Sequence, residues 1–183
     1  MKVLIVLFVF FSLSGCSGGW GVRDQEIVVS GASYVSDSSP LYKEISLGSV
    51  AGRNSKGAWN YLTGINITRE FLGAYRNKVG QDLKKAYLLS TDKKGKYLLD
   101  IAIQKIDSSI IGSGYTTKIK YTLRKNIGAV LWEKEVTASH AVSFFKEPDS
   151  DVRLYKSKLG ALTKNSELYV RALVDEIPRL ITR

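Results

Sequence analysis

Few residues of this 183-residue chain could do chemistry, and the reactive types are nearly alone of their kind. There is one thiol, Cys16, and one imidazole, His140. A single histidine cannot seed a histidine metal cluster. His140 follows Ser139 late in an alternating stretch, where a surface or sheet-end histidine is expected rather than a general base. No serine stands in a setting that would make it a nucleophile. Asp100 and the pair Glu133 and Glu135 fall at solvent-face spacing and read as solvated charges, not as an acid–base couple. The glycine-rich stretch from Gly48 to Gly57 superficially suggests a phosphate cradle. A P-loop needs Gly-Lys-Ser/Thr, and Gly57 is followed by Ala58, so nucleotide binding is rejected. The expectation is a chain with no catalytic set, no metal and no cofactor. One row remains: Lys118, Lys120 and Arg124 on one face of a strand. Same-face neighbours lie about 7 Å apart and can meet repeated phosphates. Lysines on a strand equally discourage unwanted strand pairing, and both readings stand.

The elements that must carry these residues follow from periodicity. Leu41 to Val50 reads as a first strand, with Ile45 and Leu47 on one side. The following stretch to Ile65 holds Trp59, Tyr61 and Leu62, either a flap over the core or a partner surface. A helix is expected from Asn66 to about Leu88, capped by Asn66 or Thr68. Phe71, Tyr75, Val79, Leu83 and Tyr87 recur every four residues as its apolar ridge. Tyr97 to Ile106 alternates, and Tyr115 to Arg124 alternates more strictly. Asn126-Ile127-Gly128 makes a tight hairpin into a return strand, Ala129 to Ala141, with Val130, Trp132 and Val136 as core candidates. Helical character runs from Asp149-Ser150-Asp151 to near Leu180, with Gly160 to Asn165 as the place to break and Pro178 disrupting the end. The order β-α-β-β-β-α predicts an α+β two-layer sandwich: an antiparallel four-stranded sheet with two helices packed on one face.

The first residues belong to none of these elements. Lys2 precedes an unbroken apolar run, Val3 to Phe11, then small residues and Cys16. This is the pattern of a secretory signal, and the run is about half of what spans a bilayer. Leu13-Ser14-Gly15-Cys16 resembles the lipobox of the bacterial lipoprotein family. That resemblance implies a signal peptide over residues 1–15 and a diacylglycerol on the Cys16 sulfur. It also implies an acyl chain on the freed amine of Cys16. Ser17 in place of Asp implies sorting to the outer membrane, on its periplasmic side. With no second cysteine, no disulfide can form. Residues 16–40, rich in glycine and serine, read as a tether, and residues 41–183 as one α+β periplasmic domain.

The chain carries 27 Lys+Arg against 17 Asp+Glu, a net charge of +10. Such a field favours anionic partners, or simply keeps the domain soluble. In an exported protein the anions are lipid phosphates, lipopolysaccharide, peptidoglycan carboxylates or acidic proteins, not nucleic acid.

With these residues placed, the layout resembles the lipopolysaccharide-assembly lipoproteins, the LptE-like family. The residues that carry the likeness are Gly19-Trp20 and Val22-Arg23-Asp24 after the cysteine, Tyr75-Arg76-Asn77 and Ala86-Tyr87-Leu88-Leu89 in the first helix, the basic strand Thr117 to Leu123, and a last helix closing at Leu173 to Leu180. The resemblance implies a non-enzymatic plug and assembly factor seated in an outer-membrane β-barrel. Lys118, Lys120 and Arg124 would then contact lipopolysaccharide. A different expectation, an auxiliary or activator lipoprotein docking on a peptidoglycan synthase or envelope transporter, also fits a tethered small domain.

Overall fold

A computed structural model describes residues 35–52, 67–92, 94–108, 114–126 and 128–181, with side chains as far as Ile177. Cys16, the signal segment, most of the tether and the stretch from 53 to 66 lie outside the described residues. The elements run β1 (Ile45–Gly52), α1 (Arg69–Lys85), β2 (Tyr97–Ser108), β3 (Gly114–Lys125), β4 (Val130–Ala141) and α2 (Ser150–Ile181). The sheet order is β1-β2-β3-β4. β2, β3 and β4 pair antiparallel, but β1 pairs parallel with β2. The α+β class stands, and the expected all-antiparallel sheet is corrected to a mixed one. The reason is the helix between β1 and β2: a chain that crosses over through α1 and returns beside β1 comes back in the same direction.

Alternation decides which face is buried. Leu99, Ile101, Ile103, Ile119, Tyr121 and Leu123 are buried on the inner face, under both helices. A bulge after Ile103 leaves Gln104 and Lys105 both exposed and returns Ile106 to the inner side, opposite Thr117. A second irregularity, where Leu123 pairs Trp132 and Arg124 pairs Val130, ends the β4 pattern. Trp132 and Val136 are buried as expected, but Val130 is 57% exposed.

Helix α1 starts at Thr68, whose hydroxyl accepts the Phe71 N–H at 3.1 Å. Phe71, Tyr75, Val79 and Leu83 are buried. Tyr87 leaves the ridge because the helix ends at Lys85; Tyr87 has φ 58° and is 49% exposed. The described domain begins at Val35, within the stretch read as tether. Val35 and Leu41 are buried, and Val35 N–H donates to Ala86 O.

α2 is one helix of 32 residues, unbroken at Gly160 to Asn165 and continuing past Pro178. Gly160 is needed for fit: a Cβ there would lie 2.2 Å from the His140 ring. Asn165 is fully buried, and its polar groups are satisfied by the sheet, so neither residue has cause to break the helix.

Lys158, on the buried side of α2, lies 5.4 Å from the Phe71 ring. Burial pushes its ammonium from 10.5 down to about 8. Between those values the unfolded chain binds more protons than the folded one, so stability rises with pH there; below about 8 the burial penalty is constant. Denaturant unfolding should show stability climbing from pH 8 towards 10 in the native chain, and a flat profile in Lys158→Met. A native profile flat over that window would contradict this.

Candidate interaction surfaces

The outer face of the sheet carries the row singled out from sequence. Lys118, Lys120 and Arg124 do share that face, all partly exposed. They do not form a bare basic strip. Lys118 Nζ lies 2.7 Å from Glu135 and Lys120 Nζ 2.8 Å from Glu133. Arg124 Nε donates to Asp100 Oδ2 at 2.7 Å. Lys120 stands directly opposite Glu135, and Thr122 opposite Glu133, so both lysine pairs run diagonally across the β3–β4 ladder. The carboxylates expected to be merely solvated are thus the partners of the row. Burial raises the Asp100 carboxyl, but the Arg124 guanidinium and the Ser49 N–H and hydroxyl outweigh it and hold the group below its usual range. The hydrogen bond from Lys118 likewise lowers Glu135. Exposed pairs of this kind contribute between zero and about 1 kcal/mol. Lys120→Ser should therefore shift unfolding stability by less than about 1 kcal/mol; a larger loss would show the ladder to be structural.

A second surface was not singled out from sequence. Between β4 and α2 the chain turns through Phe144 and Phe145, which are 61% and 96% exposed. Val152 and Tyr155 on the first turns of α2 are exposed beside them. The turn is held firmly. Asp149 Oδ1 accepts the N–H groups of Asp151 and Val152 at 2.9 and 3.0 Å, capping α2. Arg153 Nη1 donates to Glu147 O at 2.8 Å, and its guanidinium sits 5.3 Å from the Phe144 ring. Lys156 pairs with Glu147 at 2.5 Å. The two phenyl rings meet edge to face with centroids 6.2 Å apart. The available signal was two adjacent aromatics in a short connection before a capping Asp149, where neither could reach the core.

His140 is exposed on β4, an edge strand, between two shallow grooves. One, of about 420 Å³, is lined by Asp107, Tyr115 and Ser139 among others; the other, of about 470 Å³, by Lys156, Leu159 and Lys164. Ser139 is engaged with the Thr116 hydroxyl at 2.8 Å. Neither groove gathers a nucleophile, a base and an orienting group. Among the described residues no set of three His, Cys, Asp or Glu could hold a metal ion. None of the described helices is long and apolar enough to cross a membrane.

The polar side chains that do converge lie inside. Asn165 Nδ2 donates to Val136 O at 2.8 Å and to Thr117 Oγ1 at 3.2 Å. Its Oδ1 accepts the Tyr121 hydroxyl at 2.8 Å. Tyr121 and Tyr75 hydroxyls are 2.7 Å apart; since Tyr121 gives its proton to Asn165, Tyr75 is the donor to Tyr121. Asp82, also buried, accepts from Lys78 and Ser166. These contacts tie α1, α2 and the sheet together.

No family model and no curated protein matches the chain. Solved structures resemble it at low identity. A hypothetical protein from Chlamydia trachomatis is 10% identical, with 73% of this chain and 96% of that one covered and a TM-score of 0.47. A candidate lipoprotein from Caulobacter crescentus is 10% identical over 77% and 92%, with a TM-score of 0.43. A PelC dodecamer from Paraburkholderia phytofirmans is 14% identical over 69% and 86%, with a TM-score of 0.44. Nothing about ligand, partner or assembly passes from these proteins to this chain.

Proposed function

We propose that the chain is a lipid-anchored protein of the cell envelope that works by holding an assembly partner, without catalysis. The anchor is Cys16, in the Leu13-Ser14-Gly15-Cys16 setting, and Ser17 directs the protein to the periplasmic side of the outer membrane. The observation that carries the binding role is the Phe144–Phe145 tip. Two phenyl rings held in water by a capped, ion-paired turn cost free energy that a partner would recover.

In the finer, LptE-like reading the partner is an outer-membrane β-barrel, and Lys118, Lys120 and Arg124 contact lipopolysaccharide. The pairing of these residues does not forbid it. Because an exposed ion pair contributes so little, a phosphate can displace Glu135 or Glu133 from its lysine at small cost. The alternative, docking on a peptidoglycan synthase or an envelope transporter, is favoured by the tip lying at the opposite end of the sheet from Val35, where the described domain begins.

The test is purification of the lipidated protein in mild detergent with mass spectrometry of what accompanies it. A stoichiometric outer-membrane barrel supports the first reading; a synthase or transporter supports the second. A protein that purifies alone contradicts both. If the barrel is found, replacing Lys118, Lys120 and Arg124 with Ser should weaken binding of anionic glycolipid at matched salt while leaving the fold intact.

A further inference from the structure

The end of the domain where the tether enters differs from the rest of its surface. Backbone bonds gather several segments there: Val35 N–H to Ala86 O, Lys43 N–H to Tyr87 O at 2.8 Å, Tyr97 N–H to Glu44 O, and Asn126 N–H to Lys96 O. Exposed cations come from each of them: Lys43, Lys84, Lys85, Lys96 and Lys125. Among the described residues, Lys43, Lys84, Lys85 and Lys125 make no ion pair, whereas the cations of the outer sheet face are paired. The carboxylates alongside are already engaged. Glu44 is held by Lys96 Nζ at 2.9 Å, and Asp92 by the Ser90 hydroxyl at 2.6 Å and the Lys94 N–H at 2.9 Å.

Two aromatic rings belong to the same surface. Tyr42 and exposed Tyr87 have ring centroids 6.2 Å apart, and Lys43 Nζ lies 4.9 Å from the Tyr42 ring. Lys43 and Tyr87, with φ of 54° and 58°, are the non-glycine residues with positive φ among those described. That conformation costs about 1–2 kcal/mol for a residue with a side chain. Both strained positions therefore fall where a lysine and a tyrosine are presented outward. The negative end of the α1 dipole accounts for Lys84 and Lys85. It does not account for Lys43, Lys96 or Lys125, which sit on other segments.

We propose that this end is a membrane-facing surface that seats on the anionic phospholipid headgroups of the bilayer holding the Cys16 anchor. The proposal rests on the lipid-anchor reading and goes beyond it by orienting the domain. The chain between Cys16 and Val35 spans at most about 65 Å when extended, and it joins the domain at this surface. It therefore delivers the lysines to the headgroups at high local concentration. Lysines at such a surface attract phosphate headgroups, and tyrosines sit at the level of those groups. β2 and β3 are each 12 residues long, so the Phe144–Phe145 tip stands about 40 Å away, pointed from the membrane towards a partner.

The test uses the lipidated protein in vesicles of phosphatidylethanolamine and phosphatidylglycerol that carry a headgroup nitroxide. With the natural thiol blocked by lipid, a single reporter is attached at Asn126→Cys or at Phe145→Cys. The expected result is quenching at position 126, none at 145, and loss of the quenching in high salt or in phosphatidylcholine vesicles. Replacing Lys43, Lys84 and Lys85 with Ser should weaken seating on the order of 100-fold. Equal quenching at both positions, or quenching at 126 that is unchanged by the three substitutions, would overturn the proposal. If Cys16 proves to be unmodified, the anchor reading fails separately, and the same protein is scored by sedimentation with phosphatidylglycerol vesicles. Lysine-dependent sedimentation would still support the surface, and its absence would overturn it.

Discussion

Asn165→Ala is expected to destabilise the domain by about 2–4 kcal/mol, the largest loss from any single polar side chain in the core. Three buried groups lose a partner at once: the Val136 carbonyl, the Thr117 hydroxyl and the Tyr121 hydroxyl. Water cannot replace the amide, because the site is fully buried between α2 and the sheet. Against an ordinary total stability of 5–15 kcal/mol the loss is large, on the order of 10 °C in Tm. Denaturant unfolding checks it. A second measurement separates the hydrogen bonds from the lost volume. Tyr121→Phe made in the Asn165→Ala background should cost about 1 kcal/mol less than in the native chain, because the hydroxyl it removes is already without its acceptor. Additive losses would contradict the description of a coupled Tyr75–Tyr121–Asn165 chain.

The largest functional effect is expected at the tip. Phe144→Ser with Phe145→Ser should lower recovery of the co-purifying partner at least tenfold, with stability unchanged within about 0.5 kcal/mol. The magnitude follows from burial: each phenyl ring covered by a partner contributes about 1.5–3 kcal/mol. Stability is spared because both rings are already in water. The measurement is the same detergent purification, quantified by partner per chain. Undiminished recovery would show that the partner binds elsewhere, and the sheet face would become the next surface to test.

How much of this was legible in the sequence depends on how local the cause is. The alternation of β2 and β3, the Thr68 cap and the buried ridge from Phe71 to Leu83 are set by neighbours a few residues apart, and the pattern read them directly. The parallel β1–β2 pair was missed although the order of elements implied it: a helix lies between two strands that end up adjacent. Val130 and Tyr87 were misplaced by irregularities. A ladder shift turns β4 near its start, and α1 stops one turn before the ridge does. Pairing is the least local property. Lys118, Lys120 and Arg124 were read as a basic row because their own strand is basic, whereas Glu133, Glu135 and Asp100 arrive from the strands on either side. The same holds for Asn165, a helix-breaking signal in isolation that becomes a helix-to-sheet tie once Val136 and Tyr121 stand opposite it.

The candidate surfaces divide along the same line. Cys16 is a short contiguous signal, so sequence names it without any structure. The lysine surface around Lys43, Lys84, Lys85 and Lys125 draws on distant segments and emerges only when backbone bonds bring them to one end. The aromatic tip lies between. Its residues are adjacent in sequence, but its rigidity depends on Asp149, Arg153 and Lys156 folding back on it.

The lipid on Cys16 is the premise on which orientation, compartment and partner all depend, and intact-mass measurement of the membrane-extracted protein tests it most directly. The account predicts a chain that begins at Cys16, lacks residues 1–15 and carries the added mass of a diacylglycerol and one acyl chain, with Cys16→Ala unlabelled by fatty acid and released from the membrane. A native protein with an unmodified Cys16 thiol, or a Cys16→Ala chain that still takes up fatty acid and fractionates with the membrane, would contradict it.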